Sequence, residues 1–444
     1  MLPPRFLLLL LLPSLAFAEP VSFRRDIAPL LLDNCLACHG PKKAEGGYRI
    51  DSFERLMQAG DSGLAPFTAK ALDDSETFRR LVAEDAEERM PLEGQPLSPP
   101  QVELFRRWIA EGAGYDHDDP KAALFSITPP PTHPQPPAAY PHAIPITAAV
   151  FSQDGKKLYV GGYHEITVWN PENGELLQRL ENVGQRTYAL RLSQDGKTLA
   201  VGCGAPGKLG EVRLLDLTQE GRLLRVFGKA ADVVLDLQFS PDGKQIAAAA
   251  ADNLLRVYQV ESGEMVREIS SHSNWVTSVA FSPDSQRLAS GSRDKTVKVF
   301  DLKNGELQTT YTGHSQTVQG VAFHPDGDTV FSSSADHRVH QWKIADGKKI
   351  ADVASFGDEV HKLATGGGFF FAASNDKSVR QFEAKTRKTI RTYSGHQDAA
   401  LSAAFHAASQ RLASGGFDGR VYIWNTQDGQ LITQFIAAPG YAAN

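Results

Sequence analysis

Short runs mixing apolar, β-branched and polar residues, parted by turn residues, recur through the second two-thirds of the chain. In one repeat Val276 to Phe281 leads to the turn Ser282-Pro283-Asp284, and Arg287 to Ser292, Thr296 to Asp301 (strictly alternating over Thr296 to Val299) and Glu306 to Tyr311 follow as further short runs. A period of two over such runs predicts half-buried β-strands. Before residue 146 the period changes. Val102, Phe105 and Ile109 share one helical face, with Leu104 and Trp108 beside it. Ser98 suits the N-cap of that helix, Pro99 its first turn, Gln101 the capping box and Gly112 the stop. Ser22, Ser75 and the Asp51/Glu54 pair mark the starts of three shorter helices, the second running from Glu76 to Ala83. A small helical domain is therefore expected over residues 19–117. Nine of the 28 residues from 118 to 145 are proline, which predicts a semi-rigid polyproline II linker. His133 and His142 lie in that linker, with little expected around them.

The strand pattern repeats. Trp169, Leu215, Tyr258, Phe300, Trp342, Phe382 and Trp424 are separated by 46, 43, 42, 42, 40 and 42 residues. Phe151, Leu192, Phe239, Phe281, Phe323 and Phe405 keep a second phase, and Asp252, Asp294, Asp336, Asp376 and Asp418 a third. About four short strands per period of roughly 42 residues means a β-propeller. Seven complete blades are expected over 146–435, none shared between the ends, with a tail at 436–444. Unit two carries an insertion near Ala205 to Gly210, and unit six replaces the Ser-Pro-Asp turn with Gly366-Gly367-Gly368. Leu124 to Thr128 is expected to help close the ring.

Gly313-His314 and Gly395-His396, with Ser271-His272 as a variant, resemble the Gly-His dipeptide of WD-repeat propellers. The resemblance implies a structural hydrogen-bond network of His, Ser or Thr, Asp and Trp, which His396, Asp418 and Trp424 fit best. It also implies that the flat faces and loops bind proteins or other ligands. The remaining propeller histidines are scattered, which argues against a shared metal cluster.

The chemistry concentrates at Cys35-Leu36-Ala37-Cys38-His39. Two cysteines spaced by two residues, with histidine next, read as a covalent c-type haem site. Each thiol would form a thioether with a haem vinyl group, and His39 would bind the iron. Zinc would want a second close pair of ligands. The third cysteine, Cys203, is remote and reads as a small buried apolar residue. A thioredoxin-like pair would want a βαβ context. A second axial ligand is expected from Met90, on the proline-stiffened loop Arg89-Met90-Pro91. Met57, on an amphipathic helix, is the rival.

These pieces, together with Phe23…Asp26-Ile27-Ala28-Pro29, Gly46-Gly47-Tyr48-Arg49-Ile50-Asp51-Ser52 and Trp108-Ile109-Ala110-Glu111-Gly112-Ala113, resemble the planctomycete-type cytochrome c domain over residues 21–115. The resemblance implies one covalent haem c on Cys35 and Cys38, with His39 proximal and Met90 distal. Leu92 stands where that family usually has a second proline, and the Gly60 to Asp74 spacing departs from its pattern. The expected fold class is thus multidomain: a small all-α cytochrome c domain followed by an all-β seven-bladed WD-repeat propeller.

Arg5, the apolar run Phe6 to Leu12 and Ala16-Phe17-Ala18 make residues 1–18 a signal peptide with its cleavage site. No later stretch is long and apolar enough to span a membrane. A periplasmic or otherwise extracytoplasmic location is expected. The net charge of −6 shows no basic footprint for nucleic acid. Residues 19–117 hold 18 acidic and 12 basic side chains. Glu84, Asp85, Glu87 and Glu88 precede Met90 and read either as a solvated face or as steering for a protein redox partner with a basic patch. The expectation is an electron-transfer protein, not itself catalytic, with the propeller as docking platform. The alternatives are an oxidoreductase with a substrate site in the propeller, and a haem-based sensor or scaffold.

Overall fold

The computed structural model describes residues 19–36, 38–40, 43–92, 95–129 and 132–441, the side chains of 125, 126, 228 and 229 apart. Residues 1–18, expected as a signal peptide, lie outside the described residues. The chain divides into two compact units at Pro131/Thr132.

The first unit is built on short helices. A π-helical turn, Phe23–Ile27, leads into α1 (Ala28–Asn34). Then come α2 (Phe53–Leu56), α3 (Glu76–Leu81), α4 (Pro99–Ala110) and α5 (Leu124–Ile127). Helices this short are marginal alone, so packing must hold them. Phe23 supplies much of it: its ring lies 4.9 Å from Phe53, 5.5 Å from Trp108 and 5.5 Å from Tyr115. Ile27, Leu31, Leu56, Phe105, Ile109 and Leu124 complete a buried cluster. The all-α expectation is met only in part. Among the described residues the unit has isolated bridges and no strand, but loops outweigh helix.

Capping explains the helix starts. Ser22 accepts from the Arg25 N–H at 3.0 Å. The Gln101 carboxamide oxygen accepts from the backbone N–H of Ser98 at 2.8 Å. The expected Asp51/Glu54 box is not formed. Ser52 caps α2 through the Arg55 N–H, because Asp51 is held by Arg49 at 2.8 Å. Ser75 sits at the N-cap of α3 but turns its hydroxyl to Ala71 O and Thr68 N. Leu124 to Thr128, expected to help close the ring, belongs to the first unit: Leu124–Ile127 form α5, tied by Leu124 N to Asp51 O at 2.9 Å.

The second unit is a seven-bladed propeller of four-stranded antiparallel sheets. The blades span 149–180, 186–230, 234–269, 276–311, 318–355, 360–394 and 400–436. Each sheet is made of consecutive strands, so no blade is shared between the ends. The innermost strands pack in a ring, blade 1 against blade 7, so every blade face is covered by a neighbour and only short edges remain. The outer strands clasp forward. Gln178 donates to Glu220 O, Arg225 to Glu261 O, Arg267 to Lys303 O and Arg391 to Gln427 O, each reaching the following blade. The tight turn in blade 6 uses Gly367 and Gly368 at φ 58° and 83° between the paired Gly366 and Phe369. Two successive positive φ values are what such a hairpin turn demands.

The proline-rich segment does not form one continuous spacer. Residues 118–131 belong to the first unit and 132–145 to the second. In the second, Arg179 donates to Pro137 O at 2.6 Å and to Ala138 O at 3.1 Å. His133, expected in sparse surroundings, meets the buried Glu211 at 2.9 Å.

The His network is also redistributed. His272 joins Asp294 and Ser290, and His314 joins Asp336 and Ser332, every contact at 2.8 Å. Burial opposes ionisation of Asp294, but bonds from Thr296 and His272 outweigh it and hold the carboxyl at about 2. His396 meets Ser414 at 2.8 Å, and Trp424 donates to the same hydroxyl at 3.0 Å. The Nδ1 of His396 has no partner among the described residues. Asp418 accepts from the Arg420 N–H at 3.0 Å, as Asp294 does from Thr296, but its other oxygen lies 3.6 Å from the Arg420 side chain. The fullest His–Asp pairing is thus in blades 4 and 5, not at His396.

Candidate haem site

The Cys35–His39 turn follows directly from α1. Cys35 N donates to Leu31 O at 2.9 Å, continuing the helical bonding. Cys38 N and His39 N both return to Cys35 O, at 3.2 and 3.0 Å. That double return brings two thiols and one imidazole to a single turn. Ile50 N then bonds His39 O at 2.9 Å, tying the turn to the segment before α2.

The surroundings are apolar. Cys35, Leu36, Tyr48, Met57, Leu30 and Leu72 are half-buried against the core cluster. Burial, with Cys38 nearby, pushes the Cys35 thiol up to about 12. Neither cysteine is in a disulfide among the described residues. The Nδ1 of His39 is buried without a hydrogen-bond partner among the described residues. Two thiols, an imidazole and an apolar bed are the donor set a covalent haem needs. The residues fit the group.

Met90 is placed less decisively. It is half-buried, and its N–H donates to Arg80 O, in the last turn of α3, at 3.0 Å. No described contact joins it to His39. Met57 packs on the same apolar cluster as Cys35. The acidic residues Glu84, Asp85, Glu87 and Glu88 are all exposed. Sequence reading did not single out Tyr48 for a role. An aromatic residue among the glycines of Gly46-Gly47-Tyr48 was the available signal.

In the propeller the axis is crossed by a side chain. Lys362, on the innermost strand of blade 6 (Val360–Gly366), donates to Tyr188 O of blade 2 at 2.8 Å and to Leu235 O of blade 3. Its ammonium lies 3.6 Å from Asp236, which Arg191 also pairs at 3.0 Å. Burial lowers the Lys362 pKa from its ordinary value. Among the described residues no three His, Cys, Asp or Glu side chains are grouped to hold a metal ion. Nor is any helix long and apolar enough to cross a membrane.

Residues 35–94 match the family described as Planctomycete cytochrome C. Residues 263–301, 305–343 and 387–425 match the WD domain, G-beta repeat, and 222–277 match the Anaphase-promoting complex subunit 4 WD40 domain. The chain joins a planctomycete-type cytochrome c segment to a WD-repeat propeller of seven blades. The cytochrome match spans both cysteines, His39 and Met90 but ends before α4. The cytochrome family implies a haem cofactor. No curated protein matches the chain.

Proposed function

We propose that the protein is an exported c-type cytochrome that passes electrons through one covalent haem and docks a partner on its propeller. The observation that carries this reading is the Cys35–His39 turn, which sets two cysteines and a half-buried imidazole on one apolar bed. Bound haem would supply one-electron chemistry. Cys35 and Cys38 would hold the group through thioethers, and His39 and Met90 would ligate its iron. The apolar bed of Leu30, Leu36 and Leu72 would keep water from the macrocycle.

Two surface features support partner docking. The exposed run Glu84, Asp85, Glu87 and Glu88 suits steering of a basic redox partner. On the propeller, Trp275 is 40% exposed with Arg293 stacked 4.7 Å over it, and Phe417 is 55% exposed. Arg293 N bonds Trp275 O as Phe417 N bonds Ala399 O, so both aromatics lie on the same face of the ring. Exposed aromatic side chains beside Arg favour protein contacts. The oxidoreductase alternative is disfavoured for an axial cofactor, because Lys362 crosses the axis.

The test is alanine replacement of Cys35 and Cys38 in protein exported from a host able to attach haem. The reading expects haem that survives denaturation in the parent and is lost in the double variant. Retention of covalent haem in the double variant contradicts it.

A further inference from the structure

His39 has an aromatic neighbour that iron ligation does not itself require. The ring of Tyr48 meets the His39 imidazole edge-on, centroids 5.3 Å apart and planes at 60°. Tyr48 is fixed in turn. Its phenol donates to Leu56 O at 2.9 Å, and Leu56 ends α2, where carbonyls lack helical partners. The segment that carries Tyr48 is also tied to His39 through the backbone, since Ile50 N bonds His39 O at 2.9 Å.

A metal-bound imidazole is commonly oriented by a hydrogen bond to its other nitrogen. Here the Nδ1 of His39 is buried with no such partner among the described residues. We propose that Tyr48 is a positioning residue: the edge of its ring sets the plane of the His39 imidazole, and its hydrogen bond to Leu56 holds the ring in place. This rests on the reading of His39 as an axial haem ligand. The orientation of an axial imidazole governs how the iron d orbitals split, so Tyr48 would tune the iron without touching it.

The test uses the full chain, exported and haem-loaded, as parent, Tyr48→Phe and Tyr48→Leu. Covalent haem is read on denaturing gels, and the ferric electron paramagnetic resonance spectrum is read on the native proteins. All three are expected to retain covalent haem. Tyr48→Leu removes the ring and is expected to shift and broaden the g values. Tyr48→Phe keeps the ring but loses its anchor and is expected to shift them less. Unchanged g values in Tyr48→Leu overturn the proposal; if that variant does not accumulate, unchanged g values in Tyr48→Phe do so. Absence of covalent haem from the parent is a separate result, which removes the haem reading and the proposal with it.

Discussion

The Tyr140 hydroxyl donates to the buried carboxylate of Glu165 at 2.7 Å and accepts from the Tyr163 N–H at 2.9 Å. Glu165 is fully buried and also held by Arg179 at 2.6 Å. A proline-rich segment is thereby made part of blade 1. Tyr140→Phe takes one partner from the buried Glu165 carboxylate and one from the half-buried Tyr163 N–H, and is expected to destabilise the propeller by about 1–3 kcal/mol. Urea unfolding midpoints of parent and variant measure this. Equal midpoints would show that the segment adds nothing to the ring.

Lys362 ties blades 2, 3 and 6 across the axis. In Lys362→Met the side chain keeps similar length but loses its charge and donors. Leu235 O and Tyr188 O then lose a charged partner, at a cost of about 1.5–3 kcal/mol. Haem content of the exported protein is expected to stay at the parent level. A variant as stable as the parent in urea would rule out the transaxial tie as a stabilising element.

Acid is expected to weaken the propeller before its carboxylates titrate. Burial, together with the neighbouring His314 stacked at 4.2 Å, lowers His340 to about 4. Asp352 stands 2.9 Å from its Nε2 but does not align as a hydrogen bond. Burial likewise lowers His396 to about 4. The unfolded chain, with histidines near 6.5, binds more protons between these values. Stability is therefore full above about pH 6.5 and falls toward pH 4, by up to about 1.4 kcal/mol per pH unit for each histidine. Denaturant midpoints between pH 7.5 and 4.5 test the slope, and His340→Gln is expected to flatten it. A pH-independent midpoint would contradict the assignment.

Met90→Ala is expected to open one axial position while covalent haem stays attached. Gas binding to the reduced variant, absent in the parent, reads it out. Met57→Ala serves as control, because Met57 packs in the core cluster. If Met57→Ala opens the iron and Met90→Ala does not, the ligand assignment reverses.

The propeller was legible because its signal repeats: Trp169 through Trp424 all fall on the third strand of a blade. The helix face of Phe105, Trp108 and Ile109 was legible from its period. Local competition was not. Asp51 and Ser52 both suit a cap, and only the Arg49 contact decides between them. Leu124 to Thr128 is apolar enough for either unit, and its partner, Asp51, is remote in sequence. Asp418 looked equivalent to Asp294 and accepts the same backbone bond two residues on, but its other oxygen lies 3.6 Å from the Arg420 side chain where Asp294 holds His272. At the candidate site, the spacing of Cys35, Cys38 and His39 carried the chemistry. The Tyr48 contact arises from tertiary packing and has no periodic signature.

The visible spectrum of the exported, purified protein, oxidised and reduced, with and without carbon monoxide, tests the central claim most directly. The account predicts a low-spin c-type spectrum that carbon monoxide leaves unchanged, with both axial positions filled by protein ligands. A high-spin, gas-binding spectrum would take Met90 off the iron and contradict simple electron transfer. Absence of haem, from a host able to attach it, would contradict the account at its root.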